Sequence, residues 1–310
     1  MLPFIFQRLL FCILLLCIVS FCVFAILRLG PVDPAFAYLL QSQIPPTQEA
    51  LELARIKLGL NLPFLEQYWI WFKNLLHFDF GISYVTKRSV LEDILYYLPT
   101  TLNLAFLSML FVIVFGVLFG VLAAIKKDTF TDRALGGFAF FAVSTPSFWL
   151  GFFLIYVFSV YFGILSPYAQ ISWKSYILPI ITLSLMSLAI NMRLVRVSFL
   201  EHQNKRSVLY AYARGLPKAV VRGHIFKNSL LPIITSFGMH FGELLGGAVV
   251  VEILFGLPGF GRYAVSAIYN HDYPVVQAFM LIMVAVFVVL NLIVDIILAY
   301  LNPKIRYKQV

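Results

Sequence analysis

Charged side chains are scarce in this chain: Asp, Glu, Lys and Arg make up 12% of its 310 residues, and only 14 residues are acidic. A soluble globular domain carries about a quarter charged residues, so a surface wetted on all sides is excluded. Cysteine is nearly missing as well. Cys12, Cys17 and Cys22 all fall in one apolar run, five apart, so successive thiols turn by roughly 140° around a helix. They read as small apolar fillers rather than metal ligands or a disulfide framework. No G-x-x-x-x-G-K-[ST] occurs, so the chain has no phosphate-cradling loop of its own. The net charge of +9 is spread over short segments without a clustered basic face, which excludes nucleic acid as a partner.

What is abundant is apolar sequence. Hydrophobic residues reach 61% and mean hydropathy is +0.92, the composition of an integral membrane protein. Six runs, about Leu9–Leu29, Thr100–Ile125, Ala134–Phe162, Tyr176–Leu200, Leu230–Ile253 and Val276–Leu301, are each long enough to cross a bilayer at about 20 residues per span. The expected fold class is all-α with six transmembrane helices. The expected organisation is a first span in 1–30, a helical segment outside the membrane in 31–99, a core in 100–301 interrupted by a polar stretch at 201–229, and a tail at 302–310. Ala35-Phe36-Ala37 resembles a cleavage site, but the run before it is too long for a signal peptide, and Pro31 and Pro34 intervene; the first run reads as a retained anchor. Pro146 predicts that the third run is kinked, or is a short helix preceded by an interfacial one.

Orientation follows from lysine and arginine. With the N-terminus inside, the inner segments hold Arg8, then Lys126, Lys127 and Arg133, then Lys205 to Lys227, then Lys304, Arg306 and Lys308. Their acids are Asp128, Asp132 and Glu201, whereas the segment from Pro31 to Pro99 is richer in acids than in bases. The positive-inside rule puts both termini in the cytoplasm. In the outer segment, TQEALELARIKLGL predicts an amphipathic helix capped near Thr47 and stopped at Gly59. The following EQYWIWFKNLLHFDFG predicts a helix at the membrane surface with Tyr68, Trp69, Trp71 and Phe72 at headgroup level.

The stretch VLYAYARGLPKAVVRGHIFKNSLLP, 208–232, is polar, basic and helix-forming between two apolar runs. It predicts one short helix ending near Gly215-Leu216-Pro217 and a second around Lys218 to Asn228. Ala211, Gly215, Ile225 and Pro232 match in spacing the cytoplasmic loop of ABC importer permeases, with Leu209 where glutamate is usual and Tyr210 where the first alanine is. KLGLNLPFLEQYWIWF, FDFGIS, LPTTLNL, STPSFWL, VVVEILFGLPGFGR, HDYPVVQA and LNPKIR follow in the order typical of dipeptide, oligopeptide and nickel permeases. The chain thus resembles that group over nearly its whole length, with Asn302 and Lys304 replacing the commoner Asp and Arg.

The resemblance implies a type I ABC importer permease of the cell inner membrane: a non-catalytic subunit driven by two ATPase partners that carry ATP and magnesium, while this chain binds no cofactor. It also implies a second, homologous permease and an extracytoplasmic binding protein; membrane lipid is the other partner. Residues Ala211, Tyr212, Ala213, Arg214, Gly215, Leu216 and Arg222 take the ATPase-coupling role. Glu252, Pro258, Gly259 and Gly261 are shared with peptide permeases and read as gating or structural.

Polar groups inside the spans are functional candidates, because a charged side chain at the centre costs about 2.5–3.5 kcal/mol on insertion scales. In the fifth run Gly238, Gly242 and Gly246 form a small-xxx-small stripe for helix packing, with His240, Glu243 and Gly247 on the opposite side. His240 and Glu243, one turn apart, are candidates for a structural pair or for the translocation pathway and a transient metal contact. Met239, Ser187 and Asn191 join the pathway candidates. Because GMHFGELLGG resembles nickel permeases, and imidazole with carboxylate suits Ni(II), nickel or a nickel chelate is the expected substrate, with a dipeptide or oligopeptide as the alternative. His271-Asp272 reads as a solvated loop feature. An ATP-independent secondary transporter remains a rival class, which inverted repeats or intramembrane charge relays would favour; the six runs show no clear internal repeat. A membrane receptor without transport is a third.

Overall fold

Inside a bilayer no water is available to backbone amides, so each apolar run must satisfy its own hydrogen bonds. In a computed structural model, which describes residues 2–165 and 173–301, all regular elements are accordingly helical apart from an isolated antiparallel bridge between Ile82 and Ser89. They are α1 Leu2–Arg28, α2 Pro34–Gln41, α3 Gln48–Lys57, α4 Phe64–Leu76, α5 Val90–Ile125, α6 Phe130–Ser144, α7 Ser147–Leu154, α8 Ile177–Gln203, α9 Arg206–Ala213, α10 Lys218–Phe255, α11 Phe260–Tyr269 and α12 Tyr273–Leu301. A π-helical segment, Ile155–Tyr161, extends α7, and a 3₁₀ turn, Trp173–Tyr176, leads into α8. The 302–310 tail lies outside the described residues.

Five of these helices are long and apolar enough to cross a membrane, and a sixth span arises if the bent pair α6 and α7 counts as one. The pair bends by 104° at Thr145-Pro146, because the residue before proline is driven out of the helical region: Thr145 has ψ 118°. Three boundaries differ from the sequence reading. α5 starts at Val90 rather than near Thr100 and runs through Pro99. The second helix of the polar stretch is no separate element, since Lys218 opens α10, which continues through Pro232 to Phe255. GLPGFG is followed by a further helix, α11, which hydropathy did not reveal.

The chain divides into two compact units. One comprises Leu102–Leu257 with the chain from Leu290 onward. Here α8 and α10 form the central pair, flanked by α6 and α7, around a core that includes Leu104, Val112, Leu188, Leu244 and Phe255. Glycines permit the closest approaches: a Cβ on Gly120 of α5 would lie 2.6 Å from Val195 Cβ and 2.7 Å from the Met192 carbonyl oxygen on α8. Across α6 and α8, Arg196 Nε and Nη2 each donate to a carboxylate oxygen of Asp132 at 2.7 Å, a bidentate pair with the acid almost buried.

The other unit comprises Leu2–Thr101 and Pro258–Val289. Thr47 caps α3, its hydroxyl accepting from Ala50 N–H at 3.2 Å, and Gly59 leaves the helix with φ 67°. α4 packs its rings on α1, with Tyr68 stacked edge-on to Phe21 at 5.1 Å and to Phe24 at 5.5 Å, and its hydroxyl 2.9 Å from Ser20 Oγ. Trp69 stays exposed.

Gly120→Ala should therefore push α5 away from α8 and cost roughly 1–3 kcal/mol, because the added methyl meets backbone as well as a side chain. Gly136→Ala, with nothing within 4 Å of its Cβ, serves as the control. Thermal unfolding in detergent measures both, and equal melting temperatures would contradict the packing described.

Candidate functional site

The polar stretch builds a solvent-facing knuckle. Val208 is buried and Ala211 packs beside it, pinning α9 against Ala124, Phe199, Val221 and Ile225 at the ends of α5, α8 and α10. The helix stops at Gly215, whose φ of 72° only glycine adopts without strain, while Leu216 N–H donates back to the Ala211 carbonyl at 3.2 Å. Pro217 then starts α10. Tyr212, Ala213, Arg214, Gly215, Leu216 and Arg222 are all exposed. So are the apolar side chains of Leu209 and Tyr210, each 69% accessible. A cavity of about 510 Å³ between α9 and the first turns of α10 is lined by Tyr210, Ala211, Arg214 and His224. A rigid turn that displays aromatic and aliphatic groups to water is a surface without its partner.

The intramembrane candidates separate into two groups. His240 is buried and its Nδ1 lies 2.5 Å from Glu243 Oε2, whereas the Glu243 side chain is 61% exposed. Pro232, Thr235, Met239, Glu243, Gly246 and Val250 form one exposed stripe along α10. This corrects the expected glycine face. Gly238 alone of that face is shown packing tightly, with its Cβ position 2.9 Å from Val294 of α12, while Gly246 faces open space and shares the stripe with Glu243. Gly247, expected on the polar side, instead approaches Leu183.

Asn191 and Ser187 are buried between helices: Asn191 Nδ2 donates to the Ser187 carbonyl at 2.9 Å, and its Oδ1 accepts from Ser236 Oγ of α10 at 2.9 Å. They tie α8 to α10 and do not meet His240. Among the described residues no cluster of three or more His, Cys, Asp or Glu gathers around a common point, so His240 and Glu243 stand as a pair.

Glu252 is fully buried near the end of α10, where Gly256 closes the helix with φ 64°. In the other unit, Gly259 is the N-cap of α11, Gly261 is buried in its first turn, and Pro258 is exposed. The hydroxyl of Thr101 accepts from Phe260 N–H at 2.8 Å.

Asp272 is the residue that the sequence reading placed wrongly. Far from solvated, it is 1% exposed and accepts from Ser83 Oγ at 2.5 Å, Tyr84 N–H at 2.9 Å and Val85 N–H at 3.3 Å. A second carboxylate, Asp93, accepts from Thr86 Oγ1 and Tyr263 Oη and pairs with Arg88 at 2.7 Å. Burial, with the nearby Asp272 charge adding to it and Arg28 opposing it, pushes the Tyr84 phenol up to about 12. Burial and its bond to Asp93 also raise Tyr263, so both phenols stay protonated. The turn 83–88 is thus fastened by two buried acids. Its signal in the sequence was the acid pair's placement beside helix starts, which looks like ordinary capping.

Comparison with known proteins gives these surfaces a class. Residues 116–307 match the family described as binding-protein-dependent transport system inner membrane component, and residues 1–105 match its N-terminal companion. The chain is similar to the glutathione transport system permease proteins GsiC of Shigella flexneri serotype 5b (strain 8401) and Escherichia coli (strain K12). Each is 38% identical over 309 residues, covering 99% of this chain and all of the relative. The chain belongs to the inner membrane permease family of binding-protein-dependent ABC importers. It has the type I permease fold, is a non-catalytic multi-pass subunit, and works with ATPase and substrate-binding partners.

Asp272→Asn should loosen the 83–88 turn by roughly 1–3 kcal/mol, since three donors lose a charged acceptor. Limited proteolysis measures it: cleavage within 77–89 should accelerate, and an unchanged cleavage rate would show that the acid does not hold the turn.

Proposed function

We propose that the chain is half of the membrane pore of an ATP-driven importer for small peptides, tripeptides of the glutathione kind included. The observation that carries this is end-to-end similarity, at 38% identity, to permeases named for glutathione transport. That similarity favours a peptide over the nickel expected from GMHFGELLGG. Nickel is the second reading, supported by the adjacent imidazole and carboxylate of His240 and Glu243, two donors that suit a weak passing contact.

In this reading a second, homologous permease completes the pore, and two ATPase subunits bind ATP and magnesium; this chain binds neither. The termini and α9 lie in the cytoplasm, as the lysine and arginine distribution argues. Each ATPase grips a knuckle such as Tyr212 to Leu216, and closure of the ATPase pair moves it. Met239 and Glu243, exposed on α10, face the passage. Asn191 and Ser187 set the α8–α10 spacing from behind it, and Glu252 with Pro258, Gly259 and Gly261 serves the gate.

Uptake by the complete complex in liposomes tests the substrate, with glutathione, a dipeptide, free nickel and a nickel–histidine chelate in competition. Glutathione or dipeptide should win, and ATP-dependent nickel uptake that neither peptide inhibits would reverse the order. Tyr212→Asp with Leu216→Asp tests the knuckle. Both side chains are exposed, so the permease should fold while ATPase co-purification falls by about tenfold or more. Full recovery of the ATPase would remove α9 from the coupling role.

A further inference from the structure

The 31–99 segment has more acids than bases, yet two of its cations converge with Arg28 at one place. A cavity of about 630 Å³ is lined by Arg28 at the end of α1, Lys57 at the end of α3 and Lys87 in the latched turn. Asp79 is the carboxylate on its wall, and one of its oxygens already accepts from Gly81 N–H at 2.9 Å. Asp33, the next acid near Arg28, is held by Arg55 at 2.6 Å. The cavity therefore carries an excess of positive charge.

The cations are arranged rather than scattered. Lys57 and Lys87 approach the same ring, Tyr38, with their Nζ atoms 5.2 and 5.3 Å from its centroid. Lys57 donates to Tyr38 Oη and Lys87 to Ser42 Oγ, both at 2.8 Å. An ammonium has three donors, so each keeps two. Lys87 is held there at φ 58°, a left-handed conformation that side chains other than glycine's adopt at a cost. Arg28 lies over Phe24, and its Nε is buried without a hydrogen-bond partner. No acceptor for it lies among the described residues, and burying such a nitrogen without one costs free energy that an incoming oxyanion would recover. The phenol of Tyr84, protonated as described, cannot offset the charge.

We propose that this cavity is an anion subsite that receives a carboxylate of the imported peptide. The inference rests on the importer reading, with the 31–99 segment on the delivery side. Arginine presents a planar fork that fits a carboxylate, the lysines add point charges, and Tyr38, Trp71 and Asn74 line the remaining wall. The volume falls within the range of small-ligand sites. Local positive charge also draws an anion toward a segment that is otherwise acidic. The phosphate of an anionic lipid has the same oxyanion chemistry, and the experiment separates the two sources.

The complete complex is placed in nanodiscs of phosphatidylcholine, and binding of reduced glutathione and of its diethyl ester is measured by calorimetry. The acid should bind about tenfold more tightly than the ester, and Lys57→Gln with Lys87→Gln should erase most of that difference. Both lysines are exposed, so this variant keeps the fold; Arg28→Gln should act in the same direction. Equal binding of acid and ester, no binding at all, or no effect of the lysine pair overturns the subsite. A second set of nanodiscs contains phosphatidylglycerol. Loss of glutathione binding there, relieved in the lysine variant, assigns the cavity to a lipid headgroup and overturns the peptide assignment. ATP-driven uptake read in parallel separates this proposal from the importer reading. Peptide uptake with an inert cavity removes the subsite alone, whereas a wild-type complex that takes up no peptide removes the reading beneath it.

Discussion

The structure depends on the absence of water between the bilayer faces. Backbone amides there must bond within their own helix, so the described apolar spans are helical, and a polar side chain retained at depth needs an answer from a neighbouring helix. The answers are visible. Asn191 meets Ser236, Ser198 and Ser229 exchange bonds with each other's carbonyls at 3.3 and 3.2 Å, and at the edge of the apolar runs Asp132 meets Arg196. Each contact joins α8 to another helix of its unit, and two of them join it to α10. The polar groups thus fix which helices touch, a choice that apolar packing against lipid tails leaves weakly determined.

Among the described residues, two exposed polar surfaces stand out in this apolar chain. The first is the α9 knuckle, where a helix too short to be stable alone is held by Val208 and turned by Gly215, with its remaining side chains in solvent. The second is the exposed α10 stripe around Glu243. In the importer proposed above both would stay open, one for the subunit that supplies energy and one for the solute. Open surface in a chain otherwise so thoroughly apolar is where a partner belongs.

Much of this was legible in the sequence, because its strongest signals are strong for physical reasons. The span count came from hydropathy, the break at Thr145 from proline, the α3 cap from Thr47, and the knuckle from a basic, helix-forming interruption that ends at glycine. The misses have a common cause. Periodicity tells which residues share a side of a helix, but not which neighbour lies there: of the stripe, Gly238 meets Val294 within this chain and Gly246 faces open space. Asp272 looked solvated because its partners, Ser83 and Tyr84, are nearly two hundred positions away in the chain. Imidazole beside carboxylate suggested nickel; His240 bonds Glu243, no third His, Cys, Asp or Glu among the described residues joins them, and the similar permeases are named for glutathione transport.

α10 is a single helix of 38 residues from Lys218 to Phe255, roughly 57 Å of continuous hydrogen-bonded chain at 1.5 Å per residue. A displacement imposed at its basic end arrives at the buried Glu252 with little attenuation, because nothing along the way can absorb it except the missing bond at Pro232. In the importer proposed above, that proline is where a push on the basic end would bend the rod, and the arm beyond it would carry Glu252 with it.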